Sequence, residues 1–548
     1  MTAYKSFLEE VRGFKIPLPF DINNNKLCKH IEKEGKVEKV EVSRQVPYVT
    51  KYFDDIEQNN VKYELKWFSN GRIYTEIVPA ITLASRREII QLANKGFSSN
   101  DLNARSLIEY FNKYLDVNRI NKAKMIRHIG YGGEDFIHPL ISTDYYIEPP
   151  DTGEIKLLNS FGQKGSVKEW IDEYFAPIRG YNKAVIPVVA SFASVLFEEF
   201  KLSPIIIDIS GPSSVGKTTA QIIAASVWAN HKSYMITFNA TDVAIERRAI
   251  FLNAFPVILD DTNEVKDPNM LQDIIYRFGN GTGRARGSLE GMRETGKWNS
   301  VLISTGENNM LEYTTAQGTA ARVIPITNYN LKSYNDKLAN FKDGSKELYG
   351  TIGIEFLKRW AQRKGEFLPR YSKLVTLFQD YAKGNNIMHR IAKPYAFIVF
   401  IAEVLNDLFR DEGMKIPIAN LAELFLEICN ENNHVDRAKN VLIEILEELE
   451  ANRNHVYAEY EPANGIHAIS NAKGLFLTID YLKKKLRTDM RQIREAWKNQ
   501  SLTVSQKNNV KVVDYLSITH KGQSFRVVQV SSDFLKEQGF TFSRLDFK

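Results

Sequence analysis

The sequence predicts a multidomain α/β protein whose central unit is a mostly parallel sheet with a phosphate-binding loop. Three observations carry that expectation. Strand and helix periods alternate from about residue 204 to 328. The run IIIDIS leads into GPSSVGKTT and then QIIAASVWAN, a strand, a loop and a helix in succession. The 548 residues exceed what one hydrophobic core organises, so three or four domains are expected.

Residues 1–150 mix alternating runs such as KYELKWF and RIYTEIVPAI with helical stretches around 85–95 and 102–115, which reads as an N-terminal α+β domain. The passage 130–154, with GYGGED and EPPDTGE, is turn-rich and marks a boundary. Helical patterns over 167–174 and 183–200 lead into the strand at 204–209, opening a core over 151–340. Residues 341–450 are almost wholly helical by period, for example YAFIVFIAEVLNDLF, and read as a helical lid or linker. Residues 451–548 offer two short helices, then the strand runs VKVVDYLSI and SFRVVQVS joined by THKGQ, an order that resembles a winged-helix domain.

Hydrophobic content of 43% and charged content of 25% are those of a soluble globular protein. No stretch of eighteen apolar residues occurs and the N-terminus lacks an apolar leader, so a cytoplasmic, unprocessed protein without membrane contact is expected. Cys28 and Cys429 lie far apart without CxxC spacing, which argues for two buried thiols and against a cysteine zinc site. The net charge of +6 is uneven: residues 451–548 hold 16 basic against 9 acidic side chains. A basic module on a neutral body suits a polyanionic partner, although a solvated charged surface has the same composition.

The loop Gly211-Pro212-Ser213-Ser214-Val215-Gly216-Lys217-Thr218-Thr219 matches G-x-x-x-x-G-K-[ST] between a strand and a helix. Its glycines allow a tight turn that aims N–H groups at phosphates, and the helix adds the positive end of its dipole. Lys217 would neutralise β- and γ-phosphate charge, and the Thr218 hydroxyl would ligate Mg2+. The second half of such a site is an apolar strand ending in carboxylates, here AFPVILDDTNE. Asp260 is the expected magnesium-side carboxylate, and either Asp261 or Glu264 would polarise the attacking water. ATP or GTP hydrolysis is therefore favoured over mere phosphate binding. In WNSVLISTGENN a third strand should end beside the γ-phosphate, where Thr305 or Asn308 would hold the lytic water. Strand termination alone also accounts for Ser, Thr and Gly there. Arg322, in GTAARVIPI, stands where ring ATPases place an arginine that reaches the neighbouring subunit's γ-phosphate.

Between the last two of these strands lies the polar, glycine-rich insertion RFGNGTGRARGSLEGMRETGKWNS, with Arg277, Arg284, Arg286, Arg293 and Lys297. A β-hairpin here would put cations in a ring's channel, where they would track a DNA backbone; a solvated loop is the plainer reading. DYLKKKL and MRQIREAWKNQ form a candidate helix-turn-helix carrying Lys484, Arg491 and Arg494, with Trp497 in its core.

GPSSVGKT, PVILDD, the basic insertion, LISTGEN and AAR, with the lid and winged helix after them and IGYGGEDFIHPL before, resemble the minichromosome-maintenance-like AAA+ replicative helicases of staphylococcal cassette chromosomes and pathogenicity islands. The resemblance is specific over about 120–330. It implies a hexameric ring translocating on DNA, single-stranded or origin duplex, with each ATP site completed by Arg322 of the next subunit and with replication of a mobile element as its task. An origin-binding initiator or a DNA-remodelling ATPase without unwinding is the alternative. Arg390, in HRIAKPYAFI, falls where such proteins often carry a second sensor arginine. Two departures stand out. The carboxylate pair is Asp-Asp rather than the commoner Asp-Glu, and the zinc ligands usual in the cellular minichromosome-maintenance N-terminal domain are missing.

Overall fold

The structure is a computed structural model and describes residues 2–542 apart from 34, 143, 266–267, 285–286, 289–290, 293–294, 314–319, 336–346, 384, 434–436, 464, 487–489, 505, 508–511 and 514–515. Strands β1 (Phe20–Asn23), β2 (Lys26–Lys33) and β3 (Lys36–Ser43) form an antiparallel sheet. A second, mixed sheet contains β4 (Tyr48–Asp55), β5 (Asn60–Ser69), β6 (Arg72–Pro79) and β7 (Asn121–Ile126). Next come the hairpin β8 (Gly130–Gly132) and β9 (Asp135–Ile137), then β10 (Tyr145–Ile147), which completes the sheet in the order β10-β7-β4-β5-β6. The helix Ala104–Val117 spaces Leu107, Tyr110, Phe111 and Tyr114 along one face and buries all four against this sheet. The Tyr110 hydroxyl donates to the Pro47 carbonyl at 2.8 Å.

The phosphate-loop region is a five-stranded parallel sheet. Its strands are β11 (Ile205–Ser210), β12 (Ile236–Thr237), β13 (Val257–Asp260), β16 (Val301–Gly306) and β17 (Val323–Ile326), with the two-residue hairpin strands β14 (Gly287–Ser288) and β15 (Gly291–Met292) in the insertion before β16. The order is β12-β13-β16-β11-β17. Runs such as III, VIL and VIPI are apolar because helices cover both faces of a parallel sheet. β16 lies between β13 and β11, and Ser210 pairs with Gly306 and Leu259 with Ser304, so the three carboxyl ends are level. The helix Asn182–Ser194, buried from Ala184 to Ser194, packs on the helix Lys217–Ser226, and the Ser191 hydroxyl donates to the Ala224 carbonyl at 2.7 Å.

The helices Thr351–Tyr381, Asn386–Leu408 and Ile418–Asn433 share one continuous core with this sheet, running from Ile129 to Cys429. The helix Arg437–Ala451 instead gives Leu442, Ile445, Leu446 and Leu449 to a C-terminal core that includes Trp497. That C-terminal unit holds β18 (Val456–Tyr457), β19 (Ala468–Asn471), β20 (Gly474–Thr478), the helices Ile479–Leu486 and Met490–Asn499, β21 (Gln506–Lys507), β22 (Val512–Val513), β23 (Leu516–His520) and β24 (Gln523–Gln529). β23 and β24 form an antiparallel hairpin built into a larger sheet of order β18-β19-β20-β24-β23. Cys28 and Cys429 are buried free thiols. Among the described residues, no helix is long and apolar enough to cross a membrane.

Candidate nucleotide site

The cleft sits at the carboxyl ends of β11, β13 and β16, has a volume of about 330 Å³, and is bordered by the phosphate loop. Gly211 is required by close approach: a Cβ there would lie 2.6 Å from the Tyr329 carbonyl oxygen. Gly216 has φ +90°, a left-handed conformation that side chains resist. The segment after β17 holds the loop from behind, with Tyr329 N–H donating to the Ser210 carbonyl (3.0 Å) and Lys332 N–H to Val215 (3.2 Å). Lys217 Nζ donates to the carbonyls of Gly211 (2.6 Å) and Pro212 (2.7 Å), at the start of the loop it closes. Desolvation pulls the Lys217 pKa down, and the negative charges of Glu307, Asp261 and Asp260 oppose that shift.

Thr218 Oγ1 lies 3.3 Å from both carboxylate oxygens of Asp260. The Thr305 hydroxyl donates to Asp260 Oδ1 at 2.6 Å and accepts from the Asp261 N–H at 3.0 Å. Thr218, Asp260 and Thr305, from three different elements, thus form one connected group. Thr218 and Asp260 offer only oxygen donors, which suits a hard cation such as Mg2+. Asp261 takes φ +57°, and its carboxylate accepts from the Asn263 N–H at 3.1 Å, capping the 3-10 turn Thr262–Glu264. Asp261 lines the cleft; Glu264 is exposed and is not among its lining residues. Asn308 is exposed and also lies outside the lining, next to Glu307, which is inside it.

Three polar side chains without an assigned role from sequence also shape the site. Glu307 accepts a hydrogen bond from the Ser213 hydroxyl across the cleft. Gln221 donates to the carbonyls of Leu259 (2.8 Å) and Ile303 (3.3 Å), tying β13 to β16 beneath the helix. Asp208 is fully buried in β11, accepting from the Ser304 hydroxyl and the Met310 N–H at 2.7 Å each. Burial pushes its carboxyl up to about 6, against the pull of those two donors. Asp208 and Gln221 each had a sequence signal, a polar residue inside an apolar strand and an apolar helix.

Other candidates lie elsewhere. Arg322 is half-buried, donating to Asn280 Oδ1 at 2.6 Å and lying 5.5 Å over the Tyr276 ring. Arg390 is exposed on the helix Asn386–Leu408 and is not among the lining residues. Arg284 is exposed and pairs with Asp242 (3.0 Å) and Asp273 (3.5 Å). The Lys297 side chain is exposed; Arg286 and Arg293 lie outside the described residues. Lys484 and Arg491 are exposed, and Arg494 is half-buried, on the two short C-terminal helices.

The parallel order with a phosphate loop and helix at the carboxyl end of β11 defines the P-loop α/β class. Within it, the chain belongs to the family described as "Domain of unknown function (DUF927)", which matches residues 20–298. Among curated proteins none matches the sequence. In fold it is similar to the structure titled "SCCmec type IV Cch - active helicase", with a TM-score of 0.65, 19% identity, and 95% of this chain and 99% of that one covered. The C-terminal region of NrS-1 gives a TM-score of 0.28 at 10% identity, covering 88% of this chain and 96% of that one. A RuvB mutant of Thermotoga maritima gives 0.16 at 11% identity, covering 65% and 93%.

Proposed function

We propose that the chain is a Mg2+- and ATP-dependent DNA helicase of the AAA+ type that works as a hexameric ring on a mobile element's DNA. The observation that carries the reading is the convergence of Lys217, Thr218, Asp260 and Thr305 on one cleft behind a glycine loop. In it, Lys217 holds the terminal phosphates and the helix amino end at Gly216–Thr219 receives their charge. Thr218 and Asp260 hold the cation, which when bound neutralises charge developing on the phosphates. Thr305, fixed by Asp260 and Asp261, or Asn308 beyond it holds the attacking water, and Arg322 completes the neighbouring subunit's site after leaving Asn280.

The fold neighbour titled an active helicase and the basic C-terminal segment support a nucleic-acid substrate. The winged-helix reading of residues 451–548 rests on the two short helices followed by the β23–β24 hairpin, and Lys484, Arg491 and Arg494 are its DNA-facing cations. Arg284 and Lys297 are the channel contacts, with Arg284 exchanging Asp242 for a phosphate. A strand-displacement assay on a forked duplex tests the proposal. Unwinding that needs ATP and Mg2+ is expected. DNA-stimulated ATP turnover without unwinding would move the protein to the initiator or remodelling class.

A further inference from the structure

The sequence offers Asp261 or Glu264 as the proton acceptor for the attacking water, and the geometry points to a third carboxylate. We infer that Glu307 is the catalytic residue that takes this proton, an inference that rests on the ATPase reading above. Three carboxylates line the cleft: Asp260, Asp261 and Glu307. Asp260 is engaged by Thr218 and Thr305, on the side where the cation is held. Asp261 accepts from the Asn263 N–H, and its backbone at φ +57° holds it in that turn. Glu264 lies outside the cleft.

Glu307 also accepts one hydrogen bond, but from a side chain that lines the cleft, Ser213, whereas Asp261 accepts from a turn N–H outside the lining. Glu307 is the first residue after β16, so the sheet positions its backbone level with the end of β11. Its carboxylate reaches across to the Ser213 hydroxyl at the crest of the phosphate loop, and it is the leading negative influence on Lys217, ahead of both aspartates. A carboxylate bridging the third strand and the loop crest flanks the space in front of Lys217, where a terminal phosphate would lie. The segment carrying it is anchored from below, because buried Asp208 accepts from Ser304 before it and from the Met310 N–H after it. In the step assigned here the water oxygen bonds to the γ-phosphorus while the bond to the β–γ bridging oxygen breaks. That electron pair leaves with ADP, and the water proton passes to Glu307 and then to solvent.

The test is Glu307→Gln in the full chain, measuring ATP turnover with Mg2+ and the affinity for a fluorescent ATP analogue. Glutamine still accepts from Ser213 but cannot take a proton. Turnover should fall ~100-fold or more, the usual span for a lost general base, while analogue affinity stays within about threefold. Ser213→Ala separates catalysis from a structural clamp, since it removes the hydrogen bond and keeps the carboxylate. Glu307→Gln should be at least ~10-fold worse than Ser213→Ala. Equal losses in the two variants would overturn the inference, as would near-normal turnover in Glu307→Gln beside an inactive Asp261→Asn. Absence of turnover in the unaltered chain would instead remove the ATPase reading itself.

Discussion

Asp208→Asn probes the anchor beneath the site, and its effect can be worked from the structure. Asp208 is fully buried, and burial raises its pKa from 3.8 to about 6. Below pH ~4 the carboxyl is protonated in folded and unfolded chains alike, and its contribution is at its most favourable. Between about pH 4 and 6 the unfolded chain releases the proton while the fold retains it, so stability declines as pH rises. Above that range the loss is complete, at roughly two pKa units of ~1.4 kcal/mol each, or about 3 kcal/mol. Asparagine preserves the network: its oxygen accepts from Met310 N–H, and its amide donates to the Ser304 oxygen, which leaves that hydroxyl's proton for Met310 Sδ, 3.2 Å away. Asp208→Asn should therefore gain about 3 kcal/mol on the original protein between pH 4 and pH 7.5. At roughly 2 °C per kcal/mol for a large domain, its melting midpoint should rise by about 6 °C relative to the original across that interval. Thermal unfolding of both proteins at several pH values measures this. A difference that stays flat with pH would refute the claim that Asp208 is held in a low-dielectric site.

Three further outcomes follow from other contacts. Gly211→Ala forces a Cβ against the Tyr329 backbone and should cost about 1–3 kcal/mol of stability together with nucleotide affinity, read by calorimetry and analogue binding. Gly279→Ala would place a Cβ 1.9 Å from Arg322 Cδ, displacing that side chain; if Arg322 acts on the neighbouring site, turnover should drop in proportion to the loss in Arg322→Ala, with nucleotide affinity kept. Arg284→Ala should lower the salt slope of DNA binding by about one unit if it neutralises one phosphate, and an unchanged slope would leave Arg284 as the partner of Asp242 and Asp273 alone.

The sequence shows the phosphate loop clearly because its function constrains backbone geometry at fixed spacing. Gly211 and Gly216 are needed for contact and for φ, and the flanking apolar runs leave no other placement. β13 and β16 were readable as short apolar strands ending in polar residues. Their order in the sheet is a long-range fact, fixed by which strand fits between two others: β16 pairs with both β11 and β13. Side-chain commitments were not readable. An aspartate pair after an apolar strand suits a turn or helix cap as well as a magnesium site, but DDTNE does not say that Asp261 is the cap or that Glu264 lies outside the cleft lining. Glu307 was hidden inside LISTGEN because its partner, Ser213, is 94 residues away. Helical period likewise cannot say which core a helix joins, and so Arg437–Ala451 reads like the helices before it yet packs with Trp497.

Mg2+-dependent ATP turnover in the presence of single-stranded DNA, compared between the unaltered chain and Lys217→Ala, tests the nucleotide-site assignment most directly. The unaltered chain should hydrolyse ATP, faster with DNA and not at all once Mg2+ is chelated, while Lys217→Ala should lose at least ~100-fold. Equal turnover in the two proteins would place any hydrolysis elsewhere and contradict the account.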